Sequence, residues 1–372
     1  MMKNPGIGRP WQRRLGSIGR RRPVFFEELE TRRVLAAVTW DGGGGDLLWS
    51  NAANWDRNGA DELPQAGDNV TIQIAGSDPV IQLTSGVHTI GNLTSDEDIQ
   101  ILGGSLTITS SSVVNKGLTI DGGELHLTGG TSSGTGSIHN VSGSSLFRNV
   151  TLDVNLDNEA LLTVNNTVTL HGTLTTTPSS VIRLEASDLN GSFLNVDNGF
   201  ANQGVIELVH LGTRGDTSRL TVSNGVLENQ VGATIRTLPG GGSGNHQLST
   251  SLTNQGTLQV DHALLITNTG RTFDTSSGTI NAGAGSQLTV SGGATRFGTA
   301  TQLSGTDGQI DLAGTQVLEL GSDFTYASGQ PALTFGGAIT VSGPGTFINQ
   351  GALVVANETF NADLVNDSIL TV

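Results

Sequence analysis

Residues 118–130 read Leu-Thr-Ile-Asp-Gly-Gly-Glu-Leu-His-Leu-Thr-Gly-Gly, and the pattern within this stretch decides the fold. Apolar and polar residues alternate over short runs, and a glycine-rich segment follows each run. This pattern is typical of short strands with one buried face that are joined by turns. Similar Leu-Thr-Ile or Leu-Thr-Val tripeptides occur at residues 106–108, 162–164, 220–222, 288–290 and 370–372. No helical stripe of useful length follows residue 70, so the sequence predicts an all-β chain.

A second pattern gives the length of the repeat. An asparagine followed within three residues by glycine or alanine precedes a strand at Asn115, Asn158, Asn202, Asn229, Asn254 and Asn349. The separations of 43, 44, 27, 25 and 95 residues fit multiples of about 20–27 residues, which is the period of a solenoid. Asparagine tolerates left-handed backbone angles, and its amide can hydrogen-bond along a stack of equivalent corners.

These repeats predict a parallel β-helix, or β-solenoid, over residues 70–372. A β-sandwich would need longer hairpin-joined strands, more aromatic core residues and a shorter domain. At about 22 residues per coil the segment would form about 14 coils. The chain of 372 residues is 4% aromatic, so we expect aliphatic side chains to fill the interior. It has no cysteine, which excludes a disulfide scaffold and thiolate chemistry.

The charge is unevenly distributed. Nine of the 18 basic and three of the 33 acidic residues lie in residues 1–33, which therefore carry a net charge of +6, while the rest of the chain carries −21. A body this acidic argues against nucleic acid as a partner. The basic head and the interrupted apolar stretch at 24–38 predict a targeting leader over residues 1–38, disordered or short-helical, that is too short and too charged to span a bilayer.

Residues 26–37 read Phe-Glu-Glu-Leu-Glu-Thr-Arg-Arg-Val-Leu-Ala-Ala. This segment resembles the N-terminal Leu-Glu-Pro-Arg-x-Leu-Leu segment of exported planctomycete surface proteins, which also follows an Arg-rich leader. Thr31 replaces the proline, and Val34 replaces the first leucine of the closing pair. The matching residues are Leu29, Glu30, Arg32 and Leu35. The resemblance implies export to the cell surface or beyond, and it implies no chemistry.

Residues 39–69 are rich in tryptophan and glycine. Trp40, Trp49 and Trp55 fall within sixteen residues, and we expect them to cap the open end of the β-helix. The alternative is a sugar-binding platform on which indole rings stack against a glycan. The order of Trp, glycine-rich turn, Trp, Asn-Trp, Leu-Pro and Gly-Asp-x-Val resembles the opening of many bacterial extracellular β-helix proteins.

Candidate catalytic and metal-binding residues are few. The seven histidines are scattered without metal-ligand spacing, and no phosphate-binding loop is present. In residues 153–159, Asp153, Asn155 and Asp157 should share an outward face, with Val154 and Leu156 inward. Asp96 and Asp98 should also point the same way. Such acids could bind calcium or act on a glycosidic bond, although solvated surface acids are the default interpretation and the motifs of polygalacturonase-like β-helix enzymes are absent.

The sequence therefore predicts a non-catalytic extracellular or cell-surface module, structural or adhesin-like, without a cofactor. Its expected partners are envelope or matrix polysaccharide or neighbouring surface proteins, contacted weakly at many points. The alternative is a polysaccharide lyase or glycoside hydrolase that uses Asp153 and Asp157, and a third hypothesis is an autotransporter passenger. Because the chain stops on a strand at residues 370–372, we expect the β-helix to continue in a longer protein, or a dimer partner to cap it.

Overall fold

A computed structural model describes residues 36–240 and 244–372, which form a parallel β-solenoid of about 13 turns. The predicted fold class is thereby confirmed. The described residues belong to one compact unit and contain 38 strands and a single 3₁₀ turn, Ala52–Asn54. The predicted leader lies outside them, apart from its last three residues, 36–38. Of these three residues, Ala37 and Val38 belong to the first strand.

The first half of the chain forms β1 (Ala37–Trp40), β2 (Trp55–Arg57), β3 (Asn69–Ile72), β4 (Val80–Leu83), β5 (Val87–Ile90), β6 (Asn92–Ser95), β7 (Asp98–Ile101), β8 (Ser105–Ile108), β9 (Ser112–Val114), β10 (Gly117–Ile120), β11 (Glu124–Leu127), β12 (Thr131–Ser133), β13 (Ser137–Asn140), β14 (Ser144–Leu152), β15 (Asn155–Asn158), β16 (Leu161–Leu170), β17 (Leu174–Thr176) and β18 (Val181–Ala186). The second half forms β19 (Ser192–Asn202), β20 (Val205–His210), β21 (Ser218–Asn229), β22 (Thr234–Thr237), β23 (His246–Asn254), β24 (Thr257–Val260), β25 (Leu264–Thr267), β26 (Thr272–Asp274), β27 (Thr279–Ala282), β28 (Gln287–Phe297), β29 (Gln302–Ser304), β30 (Gln309–Leu320), β31 (Phe324–Tyr326), β32 (Ala332–Gly336), β33 (Ile339–Ser342), β34 (Phe347–Asn349), β35 (Ala352–Val354), β36 (Thr359–Phe360), β37 (Leu364–Asn366) and β38 (Ile369–Thr371).

Each strand pairs with the equivalent strand of the next coil. Among the described strands every pairing is parallel except that of β1 with β2, which is antiparallel. In the first half of the solenoid, six successive coils each contribute one strand to a separate six-stranded sheet, in the order β17-β15-β13-β10-β7-β4. Because neighbouring strands lie about 4.8 Å apart, equivalent residues of successive coils form straight rows along the solenoid.

The interior consists of stacked aliphatic side chains, as the alternation predicts. In β10, Leu118 and Ile120 are fully buried, and Thr119 between them points outward. Leu118 pairs in register with Ile99 of the preceding coil and Ile138 of the next. Each buried leucine or isoleucine contributes about 2 kcal/mol, so the stacked rows supply most of the stabilisation.

A buried ladder of asparagine amides runs along one corner, as the sequence predicts. The Asn202 Nδ2 donates to Asn229 Oδ1 at 2.8 Å, and Asn229 Nδ2 donates to Asn254 Oδ1 at 2.7 Å. Asn158 takes part in the same way with Asn140, which the sequence pattern did not identify. Asn115 differs, because its amide donates to Asp96 Oδ1 instead. The corner spacing varies from 17 residues, between Asn349 and Asn366, to 27 residues, between Asn202 and Asn229.

The backbone part of the asparagine prediction is wrong. None of the ladder asparagines has a positive φ; the asparagines that do are Asn58, Asn149 and Asn166. Asn149 and Asn166 lie within the long strands β14 and β16, where the chain bends from one face of the solenoid to the next. Hydrogen bonding alone therefore explains why asparagine occupies the ladder positions.

Two imidazoles, His210 and His246, occupy another part of the interior, and the partly exposed His262 lies beside His246. His210 and His246 are almost completely buried, and the rings of His246 and His262 lie 5.1 Å apart. The ring nitrogens of His210 have no hydrogen-bond partner among the described residues. Burial, together with the neighbouring His262 and His210, lowers the pKa of His246 to about 4. This imidazole therefore stays neutral in the folded protein at any pH well above 4.

Replacement of Asn229 by alanine should destabilise the solenoid by about 3 kcal/mol, because the buried Asn202 amide loses its shortest hydrogen bond and Asn254 Oδ1 loses its donor. Urea unfolding followed by circular dichroism measures the change. The exposed Asn357 is the matched control, and Asn357→Ala should change the free energy of unfolding by less than about 0.5 kcal/mol. Equal effects of the two substitutions would contradict a stabilising ladder.

Acid should destabilise the protein through His246. An unfolded imidazole has a pKa of about 6.5, so between pH 6.5 and about 4 the unfolded chain binds a proton that the folded chain does not. The neutral His246 therefore contributes stability that is present above pH 6.5 and is lost as the pH falls. At pH 4.5 this loss lowers the free energy of unfolding by about 2–3 kcal/mol. In His246→Leu the decrease in unfolding free energy from pH 7 to 4.5 should shrink by that amount. An unaltered decrease in His246→Leu would refute the assignment.

Candidate functional site

The outer surface of the six-stranded sheet presents polar side chains in register. We call this surface the polar face, and we define it by two rows. The first row is Gln82, Gln100, Thr119, His139, Asp157 and Thr175, each paired with the next across adjacent strands. The second row is Asp98, Gly117, Ser137 and Asn155. The residues between these rows point into the core, so the strands hold every outward side chain at a fixed position.

Asp157 lies in the middle of the polar face and is held by two neighbours. Its Oδ2 is 2.8 Å from His139 Nδ1 on the preceding coil, and its Oδ1 accepts a hydrogen bond of 2.5 Å from Thr175 Oγ1 on the next coil. The opposite nitrogen of His139, Nε2, lies 2.6 Å from Ser137 Oγ. About one third of each side chain of the His139–Asp157 pair is exposed to solvent.

Asp153 forms a separate pair at the edge of this sheet. Its Oδ1 lies 2.7 Å from His171 Nδ1, and His171 Nε2 is 3.9 Å from Asp197 Oδ2. Val154 and Leu156 are buried, and Asp153, Asn155 and Asp157 point outward, in the alternation that the sequence predicts. Asp157 and Asp153 are thus each bonded to a histidine on a neighbouring coil.

Sequence reasoning identified the acids but missed their partners. His139 and Asp157 are 18 residues apart in the chain, and so are Asp153 and His171. Alternation shows that all four side chains point outward, but only the coil length brings them into register. The signal present in the sequence was the 18-residue spacing shared by both pairs, which is also the spacing of Asn140 and Asn158.

The three tryptophans lie together inside the first coil. Trp49 and Trp55 are fully buried, and Trp40 is 6% exposed. The Trp55 ring packs edge-on against Trp40 and Trp49, with centroids 4.9 and 4.8 Å away, and its Nε1 donates to the Trp49 carbonyl at 2.8 Å. In this conformation they offer no exposed ring face on which a sugar could stack.

The acids at 96–98 take part in the protein's own hydrogen bonds. Asp96 accepts from Gln73 and Asn115, the buried Glu97 accepts from the Ile74 amide, and Asp98 accepts from the Gly117 amide. Within residues 36–240 and 244–372, no group of three or more His, Asp or Glu side chains has the geometry to bind a metal ion. The export residues Leu29, Glu30, Arg32 and Leu35 lie outside the described residues.

Comparison of this chain with models of known protein families, with curated proteins and with solved structures found no match. In the part of the chain that the structure describes, no helix is long and apolar enough to cross a membrane. The described residues form a parallel β-solenoid.

Proposed function

We propose that the protein is an extracellular or cell-surface β-solenoid module that binds neutral polysaccharide through weak, repeated contacts on the polar face. The observation that supports this proposal is the in-register row from Gln82 to Thr175, in which successive coils present one polar side chain each. The predicted adhesin-like role rests on this array.

A rigid array suits a repetitive ligand. The spacing of about 4.8 Å between coils is set by backbone hydrogen bonds, so the polar side chains need little reordering when a ligand binds. Each contact with a sugar hydroxyl contributes only about 1 kcal/mol, but contacts along one chain act together. A polymer would therefore bind more tightly than its short fragments.

The charge of the surface favours a neutral ligand. Asp98 and Asp157 lie within the polar face, and the whole chain has a net charge of −15, which repels polyanions. Glutamine amides, hydroxyls, imidazole and carboxylates all form hydrogen bonds with sugar hydroxyls. Sulfated or uronate-rich polymers would have to overcome this repulsion, so we favour neutral polysaccharide as the ligand.

The proposed location rests on the leader. The Arg-rich head and the segment at 26–37, with its resemblance to exported planctomycete surface proteins, support export. The absence of cysteine is compatible with an extracellular location. Neighbouring surface proteins are the second class of partner, for which the same face would serve.

A second candidate function is cleavage of a polysaccharide by a lyase or hydrolase reaction. It is favoured by the exposure of Asp153 and Asp157 on neighbouring parts of one surface. Release of reducing or unsaturated ends from the bound polymer, abolished in both Asp153→Ala and Asp157→Ala, would support cleavage. Retention of the polymer without release of such ends would support binding alone.

We expect the triple variant Gln82→Ala, Gln100→Ala and Thr119→Ala to bind neutral polysaccharide about threefold to tenfold more weakly, because it removes three adjacent hydrogen-bonding side chains. Affinity electrophoresis in gels containing xylan, β-glucan or galactomannan measures the retardation. The matched control is Thr89→Ala, Thr107→Ala and Thr163→Ala, which removes three outward hydroxyls from the adjacent face.

The control variant should migrate like the unmodified protein in every gel. No retardation of the unmodified protein by any of the three polymers would refute the proposed binding role. Equal weakening in both triple variants would refute the assignment to the polar face.

A further inference from the structure

Ser137, His139 and Asp157 form one continuous hydrogen-bonded chain at the centre of the polar face. Ser137 and His139 lie two residues apart on β13, so both side chains point outward. The Ser137 Oγ is 2.6 Å from His139 Nε2, and His139 Nδ1 is 2.8 Å from Asp157 Oδ2. This is the order of groups found in serine hydrolases, where a hydroxyl, an imidazole and a carboxylate are connected through the two ring nitrogens.

The carboxylate determines which nitrogen of the imidazole bears the proton. An ionised Asp157 can only accept a hydrogen bond, so the neutral His139 ring carries its proton on Nδ1. Nε2 is then an acceptor, and Ser137 donates its hydroxyl proton to it. His139 is therefore oriented as a general base toward Ser137.

We propose that Ser137, His139 and Asp157 form a serine-type hydrolytic centre that acts on neutral carboxylic esters, with acyl esters of the bound polysaccharide as the substrate class. The choice of a polysaccharide ester rests on the proposed binding function, but the reactivity of Ser137 does not. The negative charges of Asp98 and Asp157 disfavour an anionic acyl group.

The reaction needs no reagent besides ester and water. Ser137 Oγ bonds to the ester carbonyl carbon while its proton passes to His139 Nε2, and the carbonyl oxygen takes the negative charge. The C–O bond to the alcohol then breaks, and the departing oxygen takes the proton from His139, leaving an acyl ester on Ser137. Water attacks this ester, gives one proton to His139 and becomes part of the carboxylic acid. The proton returns to Ser137 Oγ, so the products are alcohol and acid.

The neighbouring strands shape the space around Ser137. Asn155 is its register partner on the next coil, and the Asn155 Oδ1 accepts from the Thr173 amide at 3.0 Å. The Nδ2 of Asn155 makes no hydrogen bond to the described residues and is a candidate donor to the negatively charged oxygen. Gly117, the partner on the preceding coil, places no side chain beside Ser137. A Cβ at Gly117 would come within 2.8 Å of Asp98 Oδ1, so a larger residue there would displace the Asp98 carboxylate.

Asp157 acts as a positioning residue, and Thr175 holds it from the other side.

The protein contains an internal control for the role of the hydroxyl. His171 and Asp153 form a similar pair at 2.7 Å, but the other ring nitrogen of His171 faces Asp197 and not a hydroxyl. Ser142 provides a second comparison, since its Oγ bonds to Asp121 without an imidazole.

The test is to treat the full chain with a fluorophosphonate probe, which phosphonylates activated serines, and to locate the label by mass spectrometry. We expect labelling at Ser137 and only background at Ser142. Labelling should be lost in Ser137→Ala and His139→Ala, fall by about tenfold or more in Asp157→Asn, and stay unchanged in His171→Ala. The pH profile of labelling should also change in Asp157→Asn, which a merely structural role would not produce. Circular dichroism verifies that each variant is folded.

A second arm measures the release of acetate from acetylated xylan and from a small ester, p-nitrophenyl acetate. No labelling of Ser137 in the folded protein between pH 6 and 9 would overturn the proposal, and so would equal labelling in His139→Ala. Labelling of Ser137 without retention of any polymer would leave the hydrolytic centre standing and refute the binding role. Retention of polymer without labelling of Ser137 would refute the hydrolytic centre and leave the binding role standing.

Discussion

The structure depends on one constraint, the in-register stacking of each coil on the coil before it. Leu118 meets Ile99 and Ile138, and the amides of Asn202, Asn229 and Asn254 connect in a chain, because parallel pairing fixes every residue to one equivalent position. The apolar rows supply the free energy of burial. The buried amides are costly when unpaired, so they penalise any shift of one coil relative to the next.

The same stacking creates the polar face. A residue that points outward at a given position in one coil has outward neighbours in the two adjacent coils. Local alternation of apolar and polar residues therefore produces a long row of polar side chains. Residues 18 positions apart in the chain, such as His139 and Asp157, come within hydrogen-bond distance. The proposed binding of a polymer and the proposed activation of a single serine would be two uses of one geometry. The first needs many equivalent positions, and the second needs only one place where serine, histidine and aspartate coincide.

The sequence predicted the fold well because alternation and the asparagine repeat are local signals. It placed Leu118 and Ile120 inside and Asp153 and Asp157 outside, as the structure does. It could not pair side chains across coils, since coil length varies from 17 to 29 residues and register is a property of the assembled solenoid. The low aromatic content likewise gave no hint that Phe297, Phe324 and Phe347 stack consecutively near the C-terminal end, with ring centroids 4.8 and 5.4 Å apart.

The most direct test of in-register stacking is disulfide cross-linking, since the chain contains no cysteine of its own. Gln82 and Gln100 are register partners on adjacent coils, so their Cα atoms lie about 5 Å apart, within the range that a disulfide spans. The double variant Gln82→Cys and Gln100→Cys should form an intramolecular disulfide on mild oxidation. Gln82→Cys with Thr119→Cys, two coils apart, should not. Failure of the first pair, or efficient cross-linking of the second, would contradict the stacking on which the polar face depends.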